Sequence, residues 1–226
     1  MDSTSAGTTP GTPSTTSPPP GRRRGRPAGT KGVPRAEREE QILAAATEEF
    51  GRHGHASASM AAIARRVDVT KPMLYAYFDS KDGLYLACLE RIAARVITAI
   101  DEAMSGGPAA AAEELLPHTV LTGLFTALEE RRHAWFVLYD RTLPPGSELR
   151  IAAQRHREAI DGLAATGTAA LLRGHGNEDP LDADALKHVW TGAVSSLMGW
   201  WIAHPDQSAQ EMSTRCARLL KAIRTA

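Results

Sequence analysis

Residues 42–84 read ILAAATEEFGRHGHASASMAAIARRVDVTKPMLYAYFDSKDGL, and the spacing of apolar side chains in this stretch decides the fold. Ile42, Ala46 and Phe50 recur every fourth residue, giving one apolar helix face that the Gly51–Gly54 break brings to an end. Ser59 is a good N-cap for a short second helix with Met60, Ile63 and Val67 on one side. Thr70 caps a third, with Pro72 in its first turn, where a missing N–H costs nothing. Two short helices joined by a tight turn form a helix-turn-helix. Ala64, Val69, Leu74 and Phe78 lock its second helix to its first, while Lys71, Met73, Tyr75 and Tyr77 remain on the outer side.

Working outward, Ser80 caps a long fourth helix in which Leu84, Cys88, Ile92, Val96 and Ile100 fall at four-residue steps, stopped by Gly106, Gly107 and Pro108. Helices are expected over residues 109–131, over a short aromatic segment at 133–142, and over 147–172. Pro144, Pro145 and Gly146 separate the second of these from the third. GHGNEDP (174–180) is a loop, and two final helices near 182–203 and 207–224 are divided by His204 and Pro205. The expected fold is all-α. A helix-turn-helix domain at 35–82 is joined by the long helix to a helical body at 83–226, and residues 1–34 form a disordered tail with a basic arm.

Composition agrees with helix, since alanine runs through the apolar stretches and Val, Ile and Thr never cluster into alternating patterns. Cys88 and Cys216 both fall inside helical patterns, which suits small buried side chains in a reducing compartment and not a disulfide or a metal site. No secretory segment is expected at the N-terminus. Ser195 and Ser196 break the longest apolar window, Val189–Ala203, which is too short to span a bilayer, so the expected location is cytoplasmic. Charge is unevenly spread. The chain has 26 basic and 26 acidic residues, yet Gly21–Lys81 holds 12 Lys/Arg against 7 Asp/Glu. A basic third on an acidic body suggests that one end faces phosphate. The sequence lacks HExxH, a Cys-His cluster, Gly-x-Ser-x-Gly and a phosphate-binding glycine loop, so neither an enzyme nor a cofactor is expected.

The 42–84 stretch resembles the N-terminal domain of the TetR family of one-component repressors. Ile42-Leu43, Ala45-Ala46, Phe50, Gly54, Ile63-Ala64, Val69-Thr70, Leu74-Tyr75, Phe78 and Ser80-Lys81 carry the likeness. Three positions depart from the family pattern: Asp68 stands where the turn usually has glycine, Ala58 replaces a hydroxyl residue, and Pro72 often corresponds to glycine. Asp tolerates a left-handed backbone better than most residues, so the turn is expected to survive. The rest of the body matches the family only in architecture.

The resemblance implies a protein that binds double-stranded DNA as a homodimer on a palindrome. It implies that Thr70, Tyr75 and Tyr77 hydrogen-bond phosphates and that Lys81 pairs with another. Lys71, suited to guanine O6 or N7, and Met73, suited to a thymine methyl, are the candidates for base edges. Ser59 is kept with this set. The plainer alternative is that Tyr75 and Tyr77 only pack. In the arm, Arg24-Gly25-Arg26-Pro27 resembles the core of an AT-hook, which enters a narrow A·T minor groove; the alternative is a solvated basic tail.

The last two expected helices carry broad apolar stripes. Trp190, Val194, Leu197, Met198 and Trp201 on one, with Cys216 and Leu220 on the other, suit a four-helix dimer interface, core packing being the alternative. Phe125, Trp135, Phe136 and Tyr139 concentrate aromatic side chains in a chain otherwise poor in them. With Met104 and Leu121, and with His156 among the polar handles, they are the candidate ligand site, although aromatics at helical spacing also serve simply as core. The expectation is a repressor released from its operator by a small lipophilic effector. An activator, or a partner-regulated DNA-binding protein of the same fold without a small-molecule switch, is the alternative.

Overall fold

The computed structural model describes residues 33–106 and 116–224. Regular structure among these residues is entirely helical. Helices α1 (Arg35–Ser57), α2 (Met60–Arg66), α3 (Lys71–Phe78) and α4 (Lys81–Ser105) come first. After them lie α5 (Leu116–Leu128), a 3-10 segment (Glu129–Ala134), α6 (Trp135–Leu138), α7 (Glu148–Gly174), α8 (Pro180–Ala203) and α9 (Ala209–Arg224). No helix among the described residues is long and apolar enough to cross a membrane. Arg24 and Arg26 of the basic arm lie outside the described residues.

Two boundaries differ from the sequence expectation. Helix α1 runs through Gly51 and kinks at Gly54 (φ 68°, ψ 166°) before its last residues. Gly51 stays helical, and its lack of a Cβ lets the 3-10 segment lie against it, since a Cβ there would meet the His133 carbonyl oxygen. The aromatic segment after α5 is a 3-10 turn followed by the short α6, where a longer helix was expected. Arg131 (φ −142°, ψ 52°) breaks it locally.

The core follows the four-residue steps. Ile42, Ala46 and Phe50 of α1 are fully buried, as are Leu84, Cys88 and Val96 of α4, with Ile92 and Ile100 nearly so. Helix α4 has 25 residues, so it extends about 37 Å. It packs on α1 and α3 at one end and on α5 and α7 further along, while α9 lies on α5 and α8 on α7. One continuous apolar core joins the helix-turn-helix to the body.

Candidate functional site

The helix-turn-helix is fixed by caps, a strained turn and two buried polar side chains. Ser59 Oγ accepts from the Ala62 N–H (3.3 Å) and Thr70 Oγ1 from the Met73 N–H (3.4 Å). Asp68 takes φ 52°, the left-handed backbone that glycine would adopt there without cost. Arg38 Nη1 donates to the Val67 carbonyl (2.9 Å), and Glu49 Oε1 accepts from the Ser59 N–H (2.9 Å). Both side chains are buried, so α1 grips each end of α2. Hydrophobic periodicity passes over them. The available signal is that Arg38 stands one four-residue step before Ile42, on the same face.

Leu74 and Phe78 face the core, whereas Lys71, Pro72, Ala76 and Tyr75, the last 41% exposed, form the outer side of α3. Met73 and Tyr77 are half-buried. The Arg35 guanidinium sits 5.0 Å from the Tyr77 ring centre, so Tyr77 both packs and borders the outer surface. Lys81 Nζ donates to the Ala56 carbonyl (3.3 Å) and ties α4 to the end of α1. Arg65 and Arg66, exposed in the last turn of α2, add basic groups that the sequence reading did not single out.

A second feature lies in the body. An apolar cavity of about 770 Å³ is walled by α4, α5, α6, α7, α8 and α9. Met104, Leu121, Trp135 and Tyr139 line it, and the Trp135 and Tyr139 rings stack at 4.7 Å. Three residues expected there lie elsewhere. Phe125 is fully buried and meets Trp201 edge-on at 5.0 Å, as core. Phe136 turns outward, because a residue one position on from Trp135 points about 100° around the helix from it, away from the cavity that Trp135 and the capping Tyr139 line. His156 Nε2 pairs with Glu90 (3.2 Å) and braces α7 on α4.

The residues expected at a dimer interface point largely into the chain. Met198 and Trp201 are fully buried, and Trp201 Nε1 donates to the Gln207 carbonyl (2.8 Å). Trp190, Val194, Leu197, Cys216 and Leu220 line the cavity. The reason is tertiary: α8 and α9 each have a neighbour in the same chain, α7 and α5, so the richer stripe is consumed internally. Val189, Leu219 and Ile223 (74% exposed) stay open to solvent although they line the same cavity, and Leu181 (77% exposed) lies outside it.

Between the two features, α6 meets the first domain. The buried Tyr85 hydroxyl donates to the Val137 carbonyl (2.7 Å), and burial pushes its pKa well above the ordinary phenol value, so it holds its proton. Asp140 Oδ2 accepts from the His55 N–H, and its Oδ1 accepts from the Thr142 N–H and hydroxyl, each at 2.7 Å. Burial also raises the Cys88 thiol to about 12, so it is an unreactive core side chain. No cluster of His, Cys, Asp or Glu among the described residues could hold a metal ion.

Residues 42–88 match the family described as bacterial regulatory proteins, tetR family. The HTH-type transcriptional activator FasR of Mycolicibacterium smegmatis (strain ATCC 700084 / mc(2)155) is 43% identical over 72 residues, 32% of this chain. That alignment spans only 33% of the activator's length. A TetR-like transcriptional regulator from Rhodococcus sp. RHA1 superposes with a TM-score of 0.62 at 26% identity, covering 86% of this chain and 100% of that one. The fold is also that of FadR from Bacillus subtilis, solved in complex with stearoyl-CoA (TM-score 0.62, 15% identity, 80% of this chain and 95% of that one).

Proposed function

Because this chain belongs to the TetR family of transcriptional regulators, we propose that it binds a palindromic DNA operator as a homodimer and is released by a small lipophilic effector. The observation that carries this reading is the exposed side of α3, where Lys71 and Tyr75 stand free beside Thr70 at a helix N-terminus. In this role Thr70, Tyr75, Tyr77 and Lys81 contact phosphates, and Lys71 and Met73 read bases. Ser59 acts through its cap, setting the angle of α2. A single recognition helix reads too few bases for useful specificity, and the exposed side chains of Leu181, Val189, Leu219 and Ile223 support pairing of two copies.

The cavity supplies the switch. Ile100 and Met104 near the end of α4 line it, while the start of the same helix packs on α3. An effector shifts the balance between DNA-binding and released forms only by binding one more tightly than the other. A hundredfold loss of DNA affinity needs about 2.7 kcal/mol of such coupling. The stearoyl-CoA bound to the Bacillus subtilis FadR supports a lipophilic effector here.

One observation favours a second reading of the sign. The relative that shares 43% identity over 72 residues is named an activator, so the same operator binding serves activation in this alternative. Selection of bound duplexes from a random pool tests the shared core of both readings. Enrichment of a palindrome is the expected result; general, salt-sensitive binding alone overturns both. Transcription in vitro from a promoter carrying the selected site then separates repression from activation.

A further inference from the structure

The polar groups of the cavity wall are few and specific. Trp135 is 3% exposed and lines the cavity, with Tyr139 stacked on it four residues on. Neither the Trp135 indole N–H nor the Tyr139 hydroxyl has a hydrogen-bond partner among the described residues. The only fully occluded side-chain nitrogens or oxygens without a partner there belong to Arg91 and Arg215, so the Trp135 nitrogen and Tyr139 oxygen keep accessible surface. For a side chain as enclosed as Trp135, that surface faces the cavity. Both donors are therefore open to a bound molecule, and Trp and Tyr in enclosed surroundings usually find an acceptor.

The second observation is the absence of charge. No Asp, Glu, Lys or Arg is among the residues described around the cavity, and its one histidine, His175, is exposed and already bonded to the Leu171 carbonyl (2.9 Å). Arg157 acts on the Tyr139 hydroxyl, but Asp161 acts on it more strongly and in the opposite sense, so a carboxylate drawn beside Tyr139 meets no net positive charge. An uncharged carbonyl finds the stacked Trp135 and Tyr139 donors, and the Trp190 indole and Ser196 hydroxyl are on the same wall.

We propose that Trp135 and Tyr139 form the polar end of the effector site and select an uncharged lipophilic molecule bearing a carbonyl oxygen, an ester or thioester, over the corresponding free acid. This rests on the reading of the cavity as the effector site. The indole N–H and the phenol O–H are offered to the carbonyl oxygen from two stacked rings while the apolar chain fills the space between α5, α7 and α8. Burying an unpaired carboxylate in the same place costs far more than burying an ester.

The test uses the full chain with Nile red, a neutral lipophilic dye, as reporter, and methyl decanoate and decanoate as competitors at about pH 7.5, where the acid is ionised. The ester is expected to displace the dye, and decanoate to do so about tenfold less well or worse. Tyr139→Phe removes only an oxygen and Trp135→Phe removes the N–H. Each is expected to weaken the ester about three- to tenfold while leaving decanoate unchanged. Tyr139→Phe alone decides if the tryptophan variant does not fold. Equal displacement by decanoate, or unaltered ester affinity in the folded variants, overturns the proposal and leaves the cavity standing as an effector site. Failure of dye and competitors alike to bind overturns that reading and this proposal together.

Discussion

The Asp140 carboxylate accepts a hydrogen bond from the His55 backbone N–H at 2.7 Å, joining residues 85 apart in the chain. His55 lies just past the Gly54 kink of α1, and Asp140 directly follows Tyr139 at the cavity wall. The contact therefore links the neighbour of a cavity-wall residue to the helix that grips α2. It works alongside α4, which also reaches both places. Replacing Asp140 with Ala orphans the His55 and Thr142 donors. We expect a loss of about 1–3 kcal/mol in denaturant unfolding. We also expect a weaker effect of effector on DNA affinity, measured by anisotropy with and without ligand. Unchanged stability and unchanged coupling would show that the link carries neither.

At the DNA-facing side, Lys71→Ala and Tyr75→Phe are expected to differ in kind. The lysine variant loses about 1–3 kcal/mol on the selected operator and relaxes preference at one base pair. The tyrosine variant weakens all duplexes alike, because phosphate contacts carry no sequence information. Binding to a panel of single-base operator variants distinguishes the two patterns. Identical patterns would sink the assignment of Lys71 to a base edge.

Gly51→Ala sets α1 against backbone. The added Cβ meets the His133 carbonyl oxygen, and a carbonyl cannot swing aside as a side-chain tip does. Separation of α1 from the 3-10 segment is expected to cost about 1–3 kcal/mol or more in thermal or denaturant unfolding. Ala at the exposed Gly162, which meets nothing within 4 Å, is the control and is expected to be neutral or slightly stabilising.

Stability is expected to decline on mild acidification, in part through His133. Burial, opposed by Glu48, lowers its affinity for a proton below the ordinary value of 6.5. The unfolded chain then takes up the proton first. The stabilisation is full above 6.5 and is lost as pH falls toward the lower folded value. Melting temperatures of the wild type and His133→Gln, followed from about pH 7.5 to 5.5, are expected to converge as the pH falls. Parallel curves would rule this contribution out.

The outer face of α8 gives a direct test of assembly. Leu181→Asp and Leu181→Lys place charge on an apolar position that is 77% exposed and lies outside the cavity wall. Both are expected to remain folded and to shift sedimentation from dimer to monomer, with loss of operator affinity. A wild-type chain that sediments as a monomer on and off DNA would overturn the dimeric reading.

Local order fixed the first domain in advance. The steps Ile42–Ala46–Phe50 and Leu84–Cys88–Ile92–Val96–Ile100, the caps Ser59, Thr70 and Ser80, and the left-handed Asp68 all depend on neighbours within a few residues, and each is present as read. Helical periodicity reports which face of a helix is apolar, and there it goes no further. It does not say what that face meets. Only the tertiary structure turned Met198 and Trp201 inward, gave Phe125 to the core and Trp135 to the cavity, and left Leu181 outside, because those choices depend on which helices lie beside α5, α8 and α9. The same holds for Arg38, Glu49 and Asp140, whose partners stand 29, 10 and 85 residues away and leave no mark in the local pattern.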